Sequence, residues 1–207
     1  MSFKKHEVKM EKKRKYSKEW LSQAELSKLF SCEKISFKDL MLMKTLYFGG
    51  FRISETLEFR RGDLVKEEGD LGEVANCYLI IGSQKNDKKN REKQPILCEL
   101  YAQLVMFCKE RKIGSHDFIF SSQMRKQMSR QRAFQIVQES AKKAGIDKKI
   151  TTHTFRRTII MHLLDQGMQQ VDISKFVRHS SIYSIASYVK LSKKKIAEKI
   201  RKNLEYV

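Results

Sequence analysis

The sequence contains little proline and glycine, and it lacks any long uninterrupted apolar segment. One proline and nine glycines among 207 residues exclude collagen-like and proline-rich disordered chains, and they disfavour a small β-sandwich built on tight turns. No apolar run reaches the ~18–20 residues that a membrane-spanning helix needs. The basic N-terminus is not followed by the apolar stretch of a signal peptide. The length of 207 residues and the hydrophobic content of 41% instead predict a buried core, in one large domain or in two small ones.

The cysteines also lack any recognisable spacing. Cys32, Cys77, Cys98 and Cys108 lie far apart, and no two of them form a C-x-x-C pair. This spacing predicts neither a zinc site nor a disulfide framework. It favours a soluble protein in a reducing, cytosolic setting.

Positive charge is abundant and concentrated. The chain has 43 Lys and Arg against 24 Asp and Glu, a formal net charge of +19. Most of the excess lies in three runs, at residues 1–18, 80–95 and 190–202. Such patches predict a polyanionic partner, with nucleic acid favoured over an anionic membrane surface. The alternative is that each run is a solvated face or a frayed tail.

Hydrophobic periodicity predicts an α+β domain that is mostly helical. Capping signals at Ser22 and Ser36 each open a helix, and the second helix is apolar on nearly every face, as expected of a core helix. A change to strand periodicity predicts a β-hairpin with a cationic tip. The predicted strands are 77–82, 93–98 and a short strand at 118–120. Further helices are predicted from Phe51–Arg52, at 99–112, at 129–145, from residue 152, at 171–180 and in the C-terminal tail from about residue 182.

Several residues with useful chemistry occur at suggestive spacings. His153 and Arg156 are three residues apart at a helix start, so they share one face. Arg52 opens another helix directly after a Gly-Gly-Phe turn. His179 precedes Tyr188 by nine residues, and a serine pair after His179 provides a helix break that lets the two side chains meet.

Together these segments resemble the motifs of the tyrosine recombinases, the phage-integrase family. GGFRISETLEFRRGDL is similar to the family's first arginine box. THTFRRTIIMHLLDQG is similar to the H-x-x-R box, and VRHSSIYSIASYVKLS to the motif that carries the second histidine and the nucleophilic tyrosine. The resemblance covers residues 17–195 and implies the family's catalytic-domain fold with a small antiparallel β-sheet.

The resemblance assigns a role to each matching residue. Arg52 and Arg156 correspond to the two catalytic arginines, His153 to the first histidine, His179 to the second, and Tyr188 to the nucleophile. The family's catalytic lysine lies in a β-hairpin loop, where Lys85 is the best match and Lys88 and Lys89 are alternatives. Glu55 corresponds to an acidic residue that orients the first arginine; the alternative is an ordinary exposed helix pair.

The resemblance also implies an activity. The expected protein is a site-specific recombinase or integrase that cuts and rejoins double-stranded DNA through a 3′-phosphotyrosine intermediate, without metal, ATP or another cofactor. A homotetramer on DNA, with a dimer on each site, and accessory DNA-bending proteins are the expected partners. The expected location is the nucleoid in the cytoplasm of a prokaryote or of a prokaryotic virus host. The alternatives are a DNA-binding module that has lost turnover and a type IB topoisomerase-like enzyme.

The sequence departs from the family pattern at two positions and in its organisation. Arg178 stands where the family usually has glycine, and Arg157 stands where histidine is common. The expected organisation is a basic arm, 1–16, followed by the catalytic domain, 17–207, without a separate N-terminal core-binding domain. The helix predicted in the C-terminal tail is expected to dock into a neighbouring subunit or to pack against its own domain.

Overall fold

The computed structural model describes residues 20–68, 76–82, 91–122, 124 and 126–178. Within these residues the fold is mostly helical with one small antiparallel sheet, as predicted. The helices are α1 (Gln23–Phe30), α2 (Phe37–Phe48), α3 (Ile53–Glu58), α4 (Cys98–Glu110), α5 (Arg130–Lys143), α6 (Thr152–Asp165) and α7 (Gln170–Phe176), and the strands are β1 (Leu64–Glu67), β2 (Asn76–Ile81) and β3 (Glu92–Ile96).

Serine side chains begin three of the helices. The hydroxyl oxygens of Ser22, Ser36 and Ser129 accept hydrogen bonds from the backbone N–H groups three residues ahead, at 3.1–3.2 Å. At α1, Glu25 completes the capping box because its carboxylate accepts from the Ser22 N–H. Each cap satisfies backbone donors that the first helical turn leaves without partners. The helix starts predicted from Ser22 and Ser36 are confirmed, and the cap at Ser129 is found in the structure.

The apolar helix α2 lies in the centre of the core. Met41, Leu42, Met43 and Leu46 are fully buried, and the helix packs against α3, α4 and α5. A helix that is apolar on nearly every face must be enclosed on nearly every side. This prediction is therefore confirmed, and α2 provides the support on which the short helix α3 rests.

The sheet has the strand order β1-β2-β3 with both pairs antiparallel. The predicted hairpin is present as β2 and β3, but β3 ends at Ile96 because helix α4 already begins at Cys98. Strand β1 was not predicted from the sequence, and it pairs with β2 from Leu64↔Leu79 to Glu67↔Asn76.

The strand predicted at 118–120 is wrong in its extent. Phe118 and Ser121 form isolated β-bridges, with Arg60 and Gln127 respectively. The three apolar side chains that suggested a strand are instead held individually: Phe118 lies under the guanidinium of Arg60, and Ile119 and Phe120 are buried in the core.

The prediction that the cysteines form no disulfide is also wrong. Cys77 and Cys98 are joined, with 5.2 Å between their Cα atoms. The antiparallel register places Cys77 opposite Ile96. Cys98 follows Ile96 by two residues, so its side chain comes within reach of the Cys77 side chain. Sequence spacing did not reveal this pair because strand register decides which residues meet.

The chain divides into two compact units, with the boundary inside α6 at Ile159–Ile160. The first contains the sheet and helices α1–α5. In the second, Ile160, Ile173 and Val177 form a buried apolar cluster, against which three partly buried side chains pack: Leu163, Leu164 and Phe176. Among the described residues, no helix has the length and apolar character needed to cross a bilayer.

We predict that the disulfide stabilises the fold measurably. The bond closes a segment of 21 residues, and a loop of this length corresponds to about 3 kcal/mol in the chain-entropy model. Cys98→Ser, or reduction with dithiothreitol, should lower the urea midpoint, whereas Cys32→Ser should not, since Cys32 is a free cysteine. An unchanged midpoint after reduction, with both thiols verified by alkylation, would contradict this prediction.

Candidate active site

Arg52 is positioned by the turn that joins α2 to α3. Helix α2 ends at Phe48, Gly49 forms its C-cap, and Gly50 adopts a positive φ of 58°. The ring of Phe51 then folds back over Gly49, where a Cβ would overlap it, and packs edge-on against Phe59 with ring centroids 4.8 Å apart. Arg52 follows as the N-cap of α3, so its backbone is fixed on both sides.

Glu55 holds Arg52 through two contacts. One carboxylate oxygen of Glu55 accepts from the Arg52 backbone N–H at 2.7 Å. The other accepts from the Arg52 guanidinium at 3.0 Å. The Glu55 side chain is only 8% exposed, whereas that of Arg52 is 42% exposed. Glu55 therefore lies behind the arginine and leaves part of the guanidinium open to solvent.

His153 and Arg156 lie in the first turns of α6. The Thr154 hydroxyl accepts from the Thr151 N–H at 2.9 Å, which fixes the helix start. Further along, the Thr158 hydroxyl accepts from the Leu21 N–H at 3.0 Å, which ties α6 to the chain ahead of α1. Phe155 is fully buried on the same helix. These contacts fix the rotation of α6 and therefore the direction in which its first polar residues point.

A hydrogen bond joins the two arginine-bearing segments. Arg156 is buried, and its Nη1 donates to the carbonyl oxygen of Gly50 at 2.5 Å, across 106 residues of sequence. Gly50 stands two residues before Arg52. The structure therefore brings Arg52, Glu55 and Arg156 to one place through the α2–α3 turn.

His153 lies in a positively charged environment. Partial desolvation by the surrounding protein lowers the pKa of His153 from its ordinary value of 6.5, although the side chain retains exposure to solvent. The charges of Arg156, Arg157 and Arg52 lower this pKa further. At neutral pH the imidazole is therefore uncharged and able to accept a proton.

The other predicted site residues lie outside the described residues. These are the hairpin lysines Lys85, Lys88 and Lys89, the second histidine His179 and the proposed nucleophile Tyr188. The basic runs at 1–18 and 190–202 and the predicted C-terminal helix lie outside them too. Their assignments stay predictions.

Within the basic run at 80–95, two cations form ion pairs. Arg91 contacts Asp63, and Lys93 contacts Glu67. Part of the charge that suggested phosphate binding in this run therefore balances acidic groups of β1 and of the short 3₁₀ helix that precedes it, Arg61–Asp63. The sequence alone did not reveal this because the partners are 26 and 28 residues away.

Two participants in the site were not identified from the sequence. The Gly50 carbonyl is a backbone group, and its Gly-Gly context indicated only a helix end. Arg157 was noted as a departure from the family pattern, but its influence on the pKa of His153 follows from the structure. Among the described residues, no group of three or more His, Cys, Asp or Glu could hold a metal ion.

Comparison with known proteins identifies the family to which this fold belongs. The model of the phage integrase family matches residues 19–195. This chain belongs to that family, as its motifs predicted.

Individual relatives agree with this family. A tyrosine recombinase of Pseudothermotoga lettingae is 26% identical over 187 residues, which are 90% of this chain and 61% of the relative. The crystal structure of XerA recombinase superposes with a TM-score of 0.71 at 22% identity, covering 90% of this chain and 64% of that one. XerH bound to its difH substrate gives a TM-score of 0.70 at 18% identity, covering 87% and 53%. The predicted fold class is confirmed, and the chain spans between about half and two-thirds of the length of these proteins.

The backbone at Arg178 adopts a conformation that favours glycine. Helix α7 ends at Phe176 with Val177 as its C-cap, and Arg178 follows with a positive φ of 51°. Glycine is favoured directly after a C-cap because this left-handed conformation costs other residues about 1–2 kcal/mol. Arg178 therefore occupies a strained position.

We expect Arg178→Gly to stabilise the protein by a few tenths to about 1 kcal/mol, because relief of strain outweighs the added flexibility of the unfolded chain. Lys112→Gly is the matched control: Lys112 has φ 53° and follows the C-cap of α4. Urea unfolding should show both midpoints rising. A lower midpoint for Arg178→Gly alone would mean that the Arg178 side chain contributes more than the strain costs.

We also expect His153 to titrate below its ordinary value. Because the unfolded chain then binds a proton at higher pH than the folded chain, stability should fall as pH decreases through about 6.5. NMR titration of the imidazole gives the pKa directly. Arg157→Gln should raise it by removing one positive charge, and an oligonucleotide should raise it because phosphate stabilises the imidazolium. A pKa above 6.5 in the free protein would contradict this account.

Proposed function

We propose that this chain is the catalytic domain of a site-specific DNA recombinase that cuts and rejoins DNA through a covalent bond between Tyr188 and a 3′-phosphate. The observation that carries the proposal is the convergence of Arg52 and Arg156 on the α2–α3 turn, with His153 beside them. The domain is proposed to extend over residues 17–207, preceded by the basic arm at 1–16.

The arginine pair fits the electrostatics of attack on a phosphodiester. The entering phenolate adds negative charge to a phosphate that already carries one. Arginine stays charged at all physiological pH values and binds phosphate oxygens through two parallel donors. Two guanidinium groups from different helices can each take one non-bridging oxygen and stabilise the five-coordinate transition state.

Proton transfers would complete the reaction. Tyrosine has a pKa near 10, so Tyr188 needs cationic neighbours or a base to attack at neutral pH. His153, uncharged at neutral pH, can accept that proton, and His179 can donate a hydrogen bond to the phosphate. Lys85 would protonate the leaving 5′-oxygen, with Lys88 and Lys89 as the alternative donors. Because the phosphotyrosine bond conserves the energy of the broken linkage, rejoining needs neither ATP nor metal.

Double-stranded DNA is the proposed substrate. The net charge of +19 and the DNA-bound XerH among similar structures support it. A tetramer with one dimer on each site, assembled with DNA-bending accessory proteins, is the assembly we propose, and the nucleoid of the cytoplasm is the proposed location. Binding should therefore weaken steeply with salt.

The function is tested by trapping the covalent intermediate. Tyr188→Phe protein is first used to enrich bound duplexes from a randomised pool. The enriched duplexes are then nicked at successive positions. Cleavage close to a nick releases a short fragment that diffuses away, so the DNA cannot be rejoined and the covalent intermediate is trapped. Wild-type protein should form an adduct that survives a denaturing gel, and peptide mapping should find the nucleotide on Tyr188. An adduct on Tyr183 or a serine would overturn the nucleophile, and salt-dependent binding without an adduct would favour a DNA-binding module.

We predict that Arg52→Ala and Arg156→Ala each slow adduct formation about 10²–10³-fold, the usual effect of removing one preorganised donor to a transition-state charge. Rates should be measured in single turnovers at saturating DNA. Arg132→Ala is the control, because Arg132 forms an exposed ion pair with Glu139 on α5 and should affect affinity alone. Full activity in either site variant would mean that the substituted arginine does not bind the scissile phosphate in the transition state.

A further inference from the structure

The contact between Gly50 and Arg156 joins the two arginine-bearing segments directly. The Gly50 carbonyl accepts from Arg156 Nη1 at 2.5 Å, and both residues are buried. A bond from a charged donor is stronger than one between neutral groups. The accepting carbonyl belongs to the peptide that connects Gly50 to Phe51, so the direction of this carbonyl depends on the backbone of that turn.

The turn is held in a conformation that glycine adopts easily. Gly50 has a φ of 58°, and its N–H donates to the Tyr47 carbonyl at 3.1 Å. The next residue, Phe51, is buried against Phe59. The carbonyl between these two anchored residues cannot rotate unless Gly50 leaves the left-handed region.

We propose that Gly50 is a positioning residue for the reaction, which rests on the proposed function: its carbonyl holds the Arg156 guanidinium in register with Arg52. The guanidinium has five N–H donors in a rigid plane. A bond from one donor to Gly50 restricts the orientation of that plane before the phosphate arrives. Arg52 leaves the same turn two residues later, so one backbone segment sets the separation of both cations.

The consequence is a specific sensitivity to the residue at position 50. Asn tolerates the left-handed region, Ala tolerates it less well, and the β-branched Val is a genuine outlier there. As tolerance falls, the peptide rotates and the carbonyl leaves Arg156. Displacing a catalytic group by about 1 Å costs up to about 10²-fold in rate. Single-turnover cleavage at saturating DNA should therefore decrease in the order Gly50→Asn, Gly50→Ala, Gly50→Val.

Gly145 provides a matched control series. It has a φ of 61°, and its carbonyl also accepts from a cation, Lys28 Nζ at 3.1 Å. An added Cβ there would meet only the flexible end of Lys28. The same three substitutions at Gly145 should lower the melting temperature and leave the saturated cleavage rate within twofold of wild type.

An uncharged analogue of the scissile phosphate distinguishes a positioning effect of Gly50 from a general loss of structure. A methylphosphonate at the scissile position removes the negative charge that Arg156 balances, so the defect of Arg156→Ala should shrink on this substrate. If Gly50 acts through Arg156, the defect of Gly50→Ala should shrink by a similar factor. A Gly50→Ala defect that stays undiminished on methylphosphonate, or wild-type cleavage by Gly50→Ala, would overturn the proposal.

A measurement without DNA tests the link between the two residues independently. In protein labelled with ¹⁵N-arginine, the Nη protons of Arg156 should be protected from hydrogen exchange in wild type and in the Gly145 variants. They should be less protected in Gly50→Ala and Gly50→Asn. These two variants keep the test possible if Gly50→Val fails to fold. Equal protection in all variants would refute the link. If the wild-type chain forms no adduct but protection still depends on position 50, the proposed function fails while the link between Gly50 and Arg156 stands.

Discussion

The hydrogen bond from Arg156 to the carbonyl of Gly50 is the contact on which the arrangement of the site depends. A guanidinium cannot be buried without partners, because desolvation of an unpaired charge costs several kcal/mol. The Gly50 carbonyl is one such partner, and it lies two residues from Arg52. A single turn therefore links two arginines that are about a hundred residues apart in the chain, and it does so before any substrate binds.

The rest of the first unit supports that turn. The buried helix α2 ends next to Gly49. The Phe51 ring packs over Gly49 and against Phe59. Glu55 then anchors Arg52 from behind with both carboxylate oxygens. Because a packed core resists small displacements, these contacts hold the charged groups in place, which would keep reorganisation small in the proposed reaction. The packing that stabilises the core therefore also holds the geometry of the site.

Local signals could be predicted from the sequence and non-local pairings could not. The serine caps of α1 and α2 and the apolar helix α2 depend on neighbours within one or two turns, and the structure reproduces them. The Cys77–Cys98 bond and the ion pair of Arg91 with Asp63 depend on strand register, which motif spacing does not contain. The motifs predict Arg52, His153 and Arg156 as site residues, but the Gly50 carbonyl that accepts from Arg156 belongs to the backbone and leaves no signature in the sequence beyond a glycine.

The most direct test of this account is the crystal structure of the Tyr188→Phe protein on a duplex selected for tight binding. The account predicts that Arg52 and Arg156 each donate to a different non-bridging oxygen of one phosphate, at about 2.7–2.9 Å, while Arg156 keeps its bond to the Gly50 carbonyl. A phosphate bound to Arg52 alone, or an Arg156 that leaves Gly50 to reach the DNA, would contradict it.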